Sequence, residues 1–153
     1  MSEYGINSIS SLSFREGVRC RIQMYLGSDD IEGVYQALKE IINNSTDEAL
    51  AGYGKKIEIE LDKNNGISVR DYGRGVPFGI RENGENVLVS IYTQSHTGGK
   101  FNHDAYKNAS GLNGVGGSCV CLSSKKFCVT SYRDGKYAKA EFDKGILSNY
   151  TEG

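Results

Sequence analysis

The sequence predicts an α+β fold in two layers, with a mostly antiparallel sheet and helices packed on one of its faces. Three observations support this prediction. Two pairs of strand-like segments are each joined by a short turn signal, so antiparallel hairpins dominate the sheet. Residues 30–52 have the apolar periodicity of one long helix. The chain of 153 residues has the length of one domain and shows no internal repeat.

Composition excludes several classes of protein. The net charge is -1 and the sequence has no stripe of basic residues, so this chain is not expected to bind DNA by itself. Because it has no apolar run of about 18 residues and no signal peptide, we expect no membrane partner and a cytoplasmic location. The cysteines lack the spacing of a zinc site or a disulfide framework. We therefore expect free, buried thiols at Cys20, Cys119, Cys121 and Cys128.

The chain begins with a polar stretch and a short helix. Residues 1–12 are serine-rich and are predicted to form a loose arm, so that the folded domain would occupy 13–153. Ser13 and Glu16 have the spacing of a capping box, which predicts a helix at 14–18.

The long helix at 30–52 has two different faces. Cap residues stand before it and glycines after it: Ser28, Asp29, Asp30, Gly52 and Gly54. One face is an apolar stripe of Val34, Leu38, Ile41, Ile42 and Ala49. The other face has acids and amides without Lys or Arg, at Glu40, Asn43, Asn44 and Asp47. Such a stripe suits a cation with oxygen ligands or a water molecule that needs a base, and a plain solvated face is the alternative.

Two hairpins and two further helices follow. Strands are predicted at 56–61, 67–71, 126–133 and 136–142. The pairs Asn65-Gly66 and Asp134-Gly135 are two-residue turn signals, and each closes one hairpin. Helices are predicted at 86–95, where a strand is the alternative, and at 118–122, continuing from near Gly114.

A glycine-rich turn follows the strand at 67–71. Its sequence is Asp71-Tyr72-Gly73-Arg74-Gly75-Val76-Pro77. The glycines allow a backbone to approach a ligand closely, and the Asp71 carboxylate can accept a hydrogen bond from an exocyclic amine. A plain turn initiated by the aspartate is the alternative.

Two more glycine-rich stretches lie within 96–118. They are His96-Thr97-Gly98-Gly99-Lys100-Phe101 and Gly111-Leu112-Asn113-Gly114-Val115-Gly116-Gly117-Ser118. Successive N–H groups at a glycine-rich helix start can hold an anion. The first is no Walker A loop, because Phe follows Lys100, and the second lacks the order and the βαβ unit of the dinucleotide fingerprint. A surface loop without a ligand is the alternative.

Together these segments resemble one family of ATP-binding domains. Three motifs resemble those of the Bergerat-type ATP-binding fold that DNA gyrase, a heat-shock chaperone, histidine kinases and mismatch-repair ATPases share. They are Glu40-x-x-x-Asn44-x-x-Asp47, Asp71-x-Gly73-x-Gly75 and Gly111-x-x-Gly114-x-Gly116. Four segments resemble one branch of this family more closely, the ATPase domain of bacterial-type type II topoisomerases (gyrase B or topoisomerase IV B). They are Met24-Tyr25-Leu26-Gly27, residues 47–52, residues 71–77 and Gly98-Gly99-Lys100-Phe101. The resemblance covers about residues 15–145.

The resemblance implies roles for the matching residues. Glu40 matches the general base that deprotonates the attacking water, and Asn44 matches the ligand of Mg²⁺. Asp71 matches the acceptor of the adenine amino group, and Gly75 the glycine beside the base. Glu48 and Arg74 match an ion pair at the pocket wall, with Pro77 nearby and Arg133 close to a pocket-edge arginine. A lid over the triphosphate matches 98–117, with nucleotide contacts at Gly98, Gly99, Lys100, Gly111, Leu112, Asn113, Gly114, Val115 and Gly116.

The chain departs from the family's pattern at three places. Asn43 stands where an acid is usual, Asn113 where the bacterial enzymes carry His, and Ile22-Gln23 where Pro-Gly is usual. The family's downstream Gly-Thr pair and its transducer domain, with a γ-phosphate lysine, are absent. We therefore expect a piece of a longer, divergent or mobile-element-borne protein.

The implied function is Mg-ATP binding and hydrolysis. In the full-length protein this would drive homodimerisation on ATP binding and DNA strand passage, together with a DNA-cleaving partner subunit. DNA would be bound only through that full-length enzyme. Two alternatives are a nucleotide-sensing module without turnover and a histidine-kinase-like catalytic domain. Arg74 and Gly98-Gly99-Lys100-Phe101 argue against the second.

Overall fold

The computed structural model describes residues 12–95 and 116–153, and these form an α+β structure as predicted. The helices are α1 (Phe14–Cys20), α2 (Ile22–Leu26), α3 (Ile31–Leu50), α4 (Val87–Thr93) and α5 (Gly116–Ser123). The strands are β1 (Ile57–Leu61), β2 (Ile67–Asp71), β3 (Lys126–Arg133), β4 (Lys136–Asp143) and β5 (Ile146–Glu152). The predicted arm lies outside the described residues except for Leu12, as does the predicted start of α5 near Gly114.

Side-chain caps fix where the helices begin. Ser13 and Glu16 form the predicted capping box of α1. Asp30 caps α3 by accepting a hydrogen bond from the backbone N–H of Glu32 at 2.9 Å. Asn86 caps α4, so the segment for which helix and strand were both open is a helix. Each cap satisfies a backbone donor that the first helical turn leaves without an intrahelical partner.

All strand pairs of the described residues are antiparallel. One sheet has the order β1-β2 and the other the order β3-β4-β5. The hairpin around Asp134-Gly135 is confirmed, since β3 and β4 pair from Arg133↔Lys136 to Lys126↔Asp143. Strand β5 was not predicted, although the Lys144-Gly145 turn before it has positive φ at both residues, as a tight hairpin requires.

The loop of the β1–β2 hairpin is longer than the predicted two-residue turn. The last pair of the ladder is Leu61↔Ile67, so five residues connect the strands. The reason is the Asp62 carboxylate, which accepts hydrogen bonds from the backbone N–H groups of Asn64 and Gly66 at 2.7 and 2.8 Å. This Asx-type turn widens the loop and places Asn65 at a φ of 61°.

Two clusters form the core, and both include α5. One joins Leu88 and Cys121 to the inner face of β4, at Ala138, Ala140 and Phe142. The other joins Val18 of α1 to Cys119 and Leu122. Helix α5 is therefore the central element against which α1, α3 and α4 pack.

The prediction of four buried thiols is correct for only two of them. Cys119 and Cys121 are buried, whereas Cys20 and Cys128 are exposed. Burial raises the pKa of Cys119 to about 11, with the Glu40 carboxylate as a second cause, and burial raises that of Cys121 to about 12. Both buried thiols therefore stay protonated at neutral pH. Cys128 is exposed because it lies on the outer face of β3, opposite Glu141 of β4.

The apolar stripe that periodicity indicates is only half-buried, and the fully buried residues of α3 lie elsewhere. Val34 of that stripe is 51% exposed and its other members are half-buried, whereas the fully buried residues of α3 are Gly33, Glu40 and Ser45. The reason is tertiary, because the polar side of α3 packs against α5 and β2. A buried carboxylate and a buried hydroxyl thus lie at the interface of three elements, where the candidate site is found.

Among the described residues, no helix combines the length and the apolar character that crossing a membrane requires.

Candidate active site

Polar residues from three elements meet where α3 packs on the C-terminal end of β2 and on the first turn of α5. Of the predicted site residues, the structure places Glu40, Asn44, Glu48, Asp71, Arg74, Gly75, Pro77 and Gly116 in this region. The other predicted contacts lie outside the described residues: Gly98, Gly99, Lys100, Gly111, Leu112, Asn113, Gly114 and Val115.

The Glu40 carboxylate is buried, with 4% of the residue exposed, although its helix is a surface element for much of its length. Gln36, one turn earlier on α3, donates from its amide to Glu40 Oε1 at 3.1 Å. Gly116, the first residue of α5, stands so close that an added Cβ would collide with Glu40 Oε2. A glycine is therefore required here for the carboxylate to reach the start of α5.

Asn44 lies one turn after Glu40 on the same side of α3 and is exposed. A Cβ added to Gly117 would lie 3.7 Å from the Asn44 side-chain nitrogen, so this amide also borders the first turn of α5. We call Gln36, Glu40, Asn44 and Gly116 the Glu40 end of the site. It combines a carboxylate, two amides and backbone N–H groups near the N-terminus of α5, and these N–H groups favour an anion.

Asp71 ends β2 and has a defined orientation. Its Oδ2 accepts from the buried Ser45 hydroxyl at 2.9 Å, and its Oδ1 accepts from the backbone N–H of Gly73 at 2.9 Å. The first bond joins β2 to α3, and the second shapes the turn that follows. Each carboxylate oxygen has a second lone pair, so Asp71 keeps capacity to accept from a ligand donor.

Glu48 and Arg74 form the predicted ion pair, with two side-chain bonds and one backbone bond. Arg74 donates from Nη2 to Oε1 at 2.6 Å, from Nε to Oε2 at 3.1 Å, and from its backbone N–H to Oε2 at 3.1 Å. The hydrogen bonds from Arg74 hold the pKa of Glu48 below its usual value. A Cβ on Gly73 would lie 2.9 Å from Glu48 Oε2, so this glycine permits the close approach.

Strand β3 holds the far side of the same turn. Ser131 donates to the carbonyl of Val76 at 2.7 Å, and Arg133 donates to the carbonyl of Gly75 at 3.1 Å. Gly75 has a φ of 78°, which favours glycine, and an added Cβ would collide with the carbonyl of Tyr132. A cavity of about 300 Å³, lined in part by Pro77 and Arg133, adjoins this turn.

We call the turn and the residues that hold it the Asp71 end of the site: Ser45, Glu48, Tyr53, residues 71–77, Ser131 and Arg133. Glu40 and Glu48 are eight residues apart on α3, so the two ends are separated by about 12 Å along the helix axis. One ligand can span both ends if it has hydrogen-bonding groups at one end and negative charge at the other.

Sequence reasoning missed four residues that shape the site. Gln36 had a detectable signal, since it precedes Glu40 by one helical turn. Ser45, Tyr53 and Ser131 had none, because their partners Asp71, Arg74 and Val76 are distant in the sequence. Asn43 and Asp47 of the predicted polar stripe are only partly exposed.

Comparisons with known proteins identify the family to which this chain is similar. A family model described as histidine kinase-, DNA gyrase B- and HSP90-like ATPase matches residues 29–141. The B subunit of DNA topoisomerase 4 from Mycoplasma capricolum is 43% identical over 143 residues, which are 94% of this chain and 22% of that protein. Its counterpart from Staphylococcus aureus is 41% identical over 144 residues, with the same two shares. The chain thus spans about a fifth of the length of these curated relatives.

A solved structure is also similar. The 43K ATPase domain of Thermus thermophilus gyrase B, crystallised in complex with an aminocoumarin, superposes with a TM-score of 0.74 and 34% sequence identity. The match covers 90% of this chain and 34% of that chain.

Proposed function

The chain belongs to the histidine kinase-, DNA gyrase B- and HSP90-like ATPase family, and we propose that it binds Mg-ATP as the ATPase domain of a type II DNA topoisomerase. The observation that supports this best is the pairing of two carboxylates with different environments. Glu40 is buried at the start of α5, and Asp71 is oriented by Ser45 and Gly73 at the end of β2. These environments suit a base for water and an acceptor for an adenine amino group.

At the Asp71 end, the free lone pairs of the carboxylate would accept from the adenine amino group. The Gly75 backbone, whose carbonyl accepts from Arg133 and which packs closely on the Tyr132 carbonyl, would lie beside the base. The Glu48–Arg74 pair and Pro77 would form the wall. Guanine presents a carbonyl where adenine presents its amino group, so this arrangement favours ATP over GTP.

At the Glu40 end, the carboxylate would orient the attacking water and take its proton, while the Gln36 amide keeps one oxygen in place. Exposed Asn44 has the one amide oxygen that a magnesium ion needs when it keeps most of its waters, so the donor set fits the metal. Mg²⁺ would supply positive charge that neutralises the phosphates. The start of α5 would add N–H donors to them.

The activity of the longer protein is a further part of the proposal. ATP binding would bring two copies together, and hydrolysis would be coupled to DNA strand passage by a DNA-cleaving partner subunit. The curated relatives are subunits of DNA topoisomerase 4, which supports this assignment. Since the chain spans 22% of their length, we expect it to bind ATP but to hydrolyse it slowly or not at all by itself.

A thermal-shift titration tests the binding proposal on this chain. A ligand that binds only the folded state stabilises it by about 2.7 kcal/mol at a hundredfold excess over Kd. We expect the melting temperature to rise with ATP and ADP in the presence of Mg²⁺, and less with GTP at equal concentration. A melting temperature that does not change with any adenine nucleotide would refute the proposal.

A further inference from the structure

We propose that Tyr53 is a positioning residue of the nucleotide site, whose ring holds Arg74 and thereby fixes the Asp71 turn against α3. This inference rests on the proposed function, because its consequence is measured as nucleotide affinity. Tyr53 lies outside the motifs that indicate the site in the sequence.

The backbone places Tyr53 immediately after the end of α3. Its N–H donates to the carbonyl of Glu48 at 2.9 Å, so the Tyr53 backbone is bonded to the same residue that pairs with Arg74. Gly52 and Gly54, on either side, both have positive φ, which turns the chain sharply at this point. A Cβ on Gly54 would lie 2.9 Å from the carbonyl carbon of Tyr72, so the turn also packs closely on the residue after Asp71.

The ring and the carboxylate hold two different sides of one guanidinium group. Arg74 Cζ lies 4.1 Å from the centre of the Tyr53 ring, within the range of a cation–π contact. Glu48 takes the Nε and Nη2 edge of the same group. With face and edge both held, the planar group has one defined orientation.

This orientation matters beyond Arg74 itself. The backbone N–H of Arg74 donates to Glu48 Oε2, so the pair joins the turn to α3 by main chain as well as side chain. Asp71 and Gly75, which would contact the base, lie on the same turn. If the Arg74 guanidinium leaves Glu48, the turn loses two of its described bonds to α3 and keeps the Arg74 backbone bond to Glu48 and the Ser45–Asp71 bond.

The alternative is that Tyr53 only covers the end of α3. The residue is 44% exposed, so its loss should leave the fold intact, and a merely covering ring should not influence ligand binding. Tyr35 is a suitable matched control, because it is a tyrosine of α3 that is 65% exposed and has no cation–π contact in the described structure.

Calorimetric titration of this chain with Mg-ATP tests the inference in three variants. We expect Tyr53→Leu to weaken binding by about twofold to fivefold, the range that an exposed cation–π contact typically gives. Tyr53→Phe keeps the ring face but removes the hydroxyl that also interacts with Arg74, so it should lose less affinity than Tyr53→Leu, and Tyr35→Leu should bind within error of the unchanged chain. Equal affinity for Tyr53→Leu and the unchanged chain, or an equal loss in Tyr53→Leu and Tyr53→Phe, would overturn the inference.

A second measurement separates this inference from the proposed function. The carboxyl ¹³C resonance of Glu48, followed by NMR from pH 3 to 7, reports whether Arg74 still holds it. Without nucleotide, Tyr53→Leu should raise the pKa of Glu48 towards its ordinary value more than Tyr53→Phe does, whereas Tyr35→Leu should leave it unchanged. If no variant binds nucleotide but this shift occurs, the proposed function fails and the positioning role of Tyr53 stands. If the chain binds ATP and the shift is absent, only the positioning role fails.

Discussion

The two ends of the site differ in how completely the surrounding protein fixes them. At the Asp71 end, bonds from α3 and β3 hold one short turn, through Ser45, Glu48, Ser131 and Arg133. At the Glu40 end, within the described part of the chain, the carboxylate accepts a side-chain hydrogen bond from Gln36 alone. Asn44 is exposed.

This difference indicates that the two ends have different functions, nucleotide binding at the Asp71 end and catalysis at the Glu40 end. A turn whose acceptors are already oriented can bind a base with little loss of conformational entropy on binding. A buried carboxylate can instead accept a proton from water. We therefore expect substitutions at the Asp71 end to change affinity, and substitutions of Glu40 to change turnover.

The largest expected effect is on turnover in the full-length protein with Glu40→Gln. General-base help is typically worth about 10²–10⁴-fold, so the steady-state ATPase rate should fall close to background. Nucleotide affinity should stay within a few-fold, because in the proposed arrangement Glu40 would face the attacking water and not the nucleotide. Turnover that equals that of the unchanged protein would show that Glu40 is a structural residue only.

Asn44→Ala is the matched comparison at the same end of the site. As the proposed magnesium ligand, Asn44 should affect binding and turnover together, and the loss of affinity should disappear when Mg²⁺ is omitted. If Asn44→Ala lowers turnover but leaves magnesium-dependent binding intact, the assigned ligand is wrong.

A smaller effect is expected from Ser45→Ala at the Asp71 end. The change removes a donor that is 4% exposed and releases Asp71 Oδ2, which should cost about 1 kcal/mol of unfolding free energy. ATP affinity should fall as well, because Asp71 loses its orientation. Urea unfolding and calorimetry measure the two effects.

Ser148→Ala is the control for this serine. Its hydroxyl, on β5, donates to the carbonyl of Glu141 on β4 and not to a residue of the site, so its loss should leave ATP affinity unchanged. Equal ATP affinities of Ser45→Ala and Ser148→Ala would contradict a role for Ser45 in orienting Asp71.

The smallest effect is a pH dependence of stability from the Glu48–Arg74 pair. Arg74 lowers the pKa of Glu48 in the folded state, so the pair stabilises the fold fully above the unfolded pKa of about 4.3. That stabilisation is lost as the pH falls through the lower, folded pKa. Urea unfolding from pH 3 to 6 should show a steeper loss for the unchanged chain than for Glu48→Gln. Parallel curves would exclude this linkage.

Local sequence predicts the elements well where caps and turns identify their ends. Ser13 with Glu16 and Asp30 begin helices, and Asp134-Gly135 closes a hairpin. The same kind of reasoning gave the wrong turn at Asn65-Gly66. There the Asp62 side chain competes for the backbone donors and lengthens the loop.

Contacts between distant residues set the limit of the prediction. Periodicity predicts the face of α3 with Val34 as the buried one, but packing on α5 and β2 buries Glu40 and Ser45 instead. The resemblance supplied the Glu48–Arg74 pair, which local pattern alone does not predict. Tyr53 follows neither from pattern nor from motif, since its partner Arg74 lies on a different element.

The most direct test of the central claim, that the Asp71 end recognises adenine, is calorimetry of Asp71→Asn with ATP and with GTP. Losing a hydrogen bond to a charged group should weaken ATP binding by about 1.5–3 kcal/mol and GTP binding much less. Asp62→Asn, which alters another aspartate that accepts backbone N–H groups, should change neither affinity. The account predicts this selective loss for ATP; an equal loss for both nucleotides, or no loss for ATP, would contradict it.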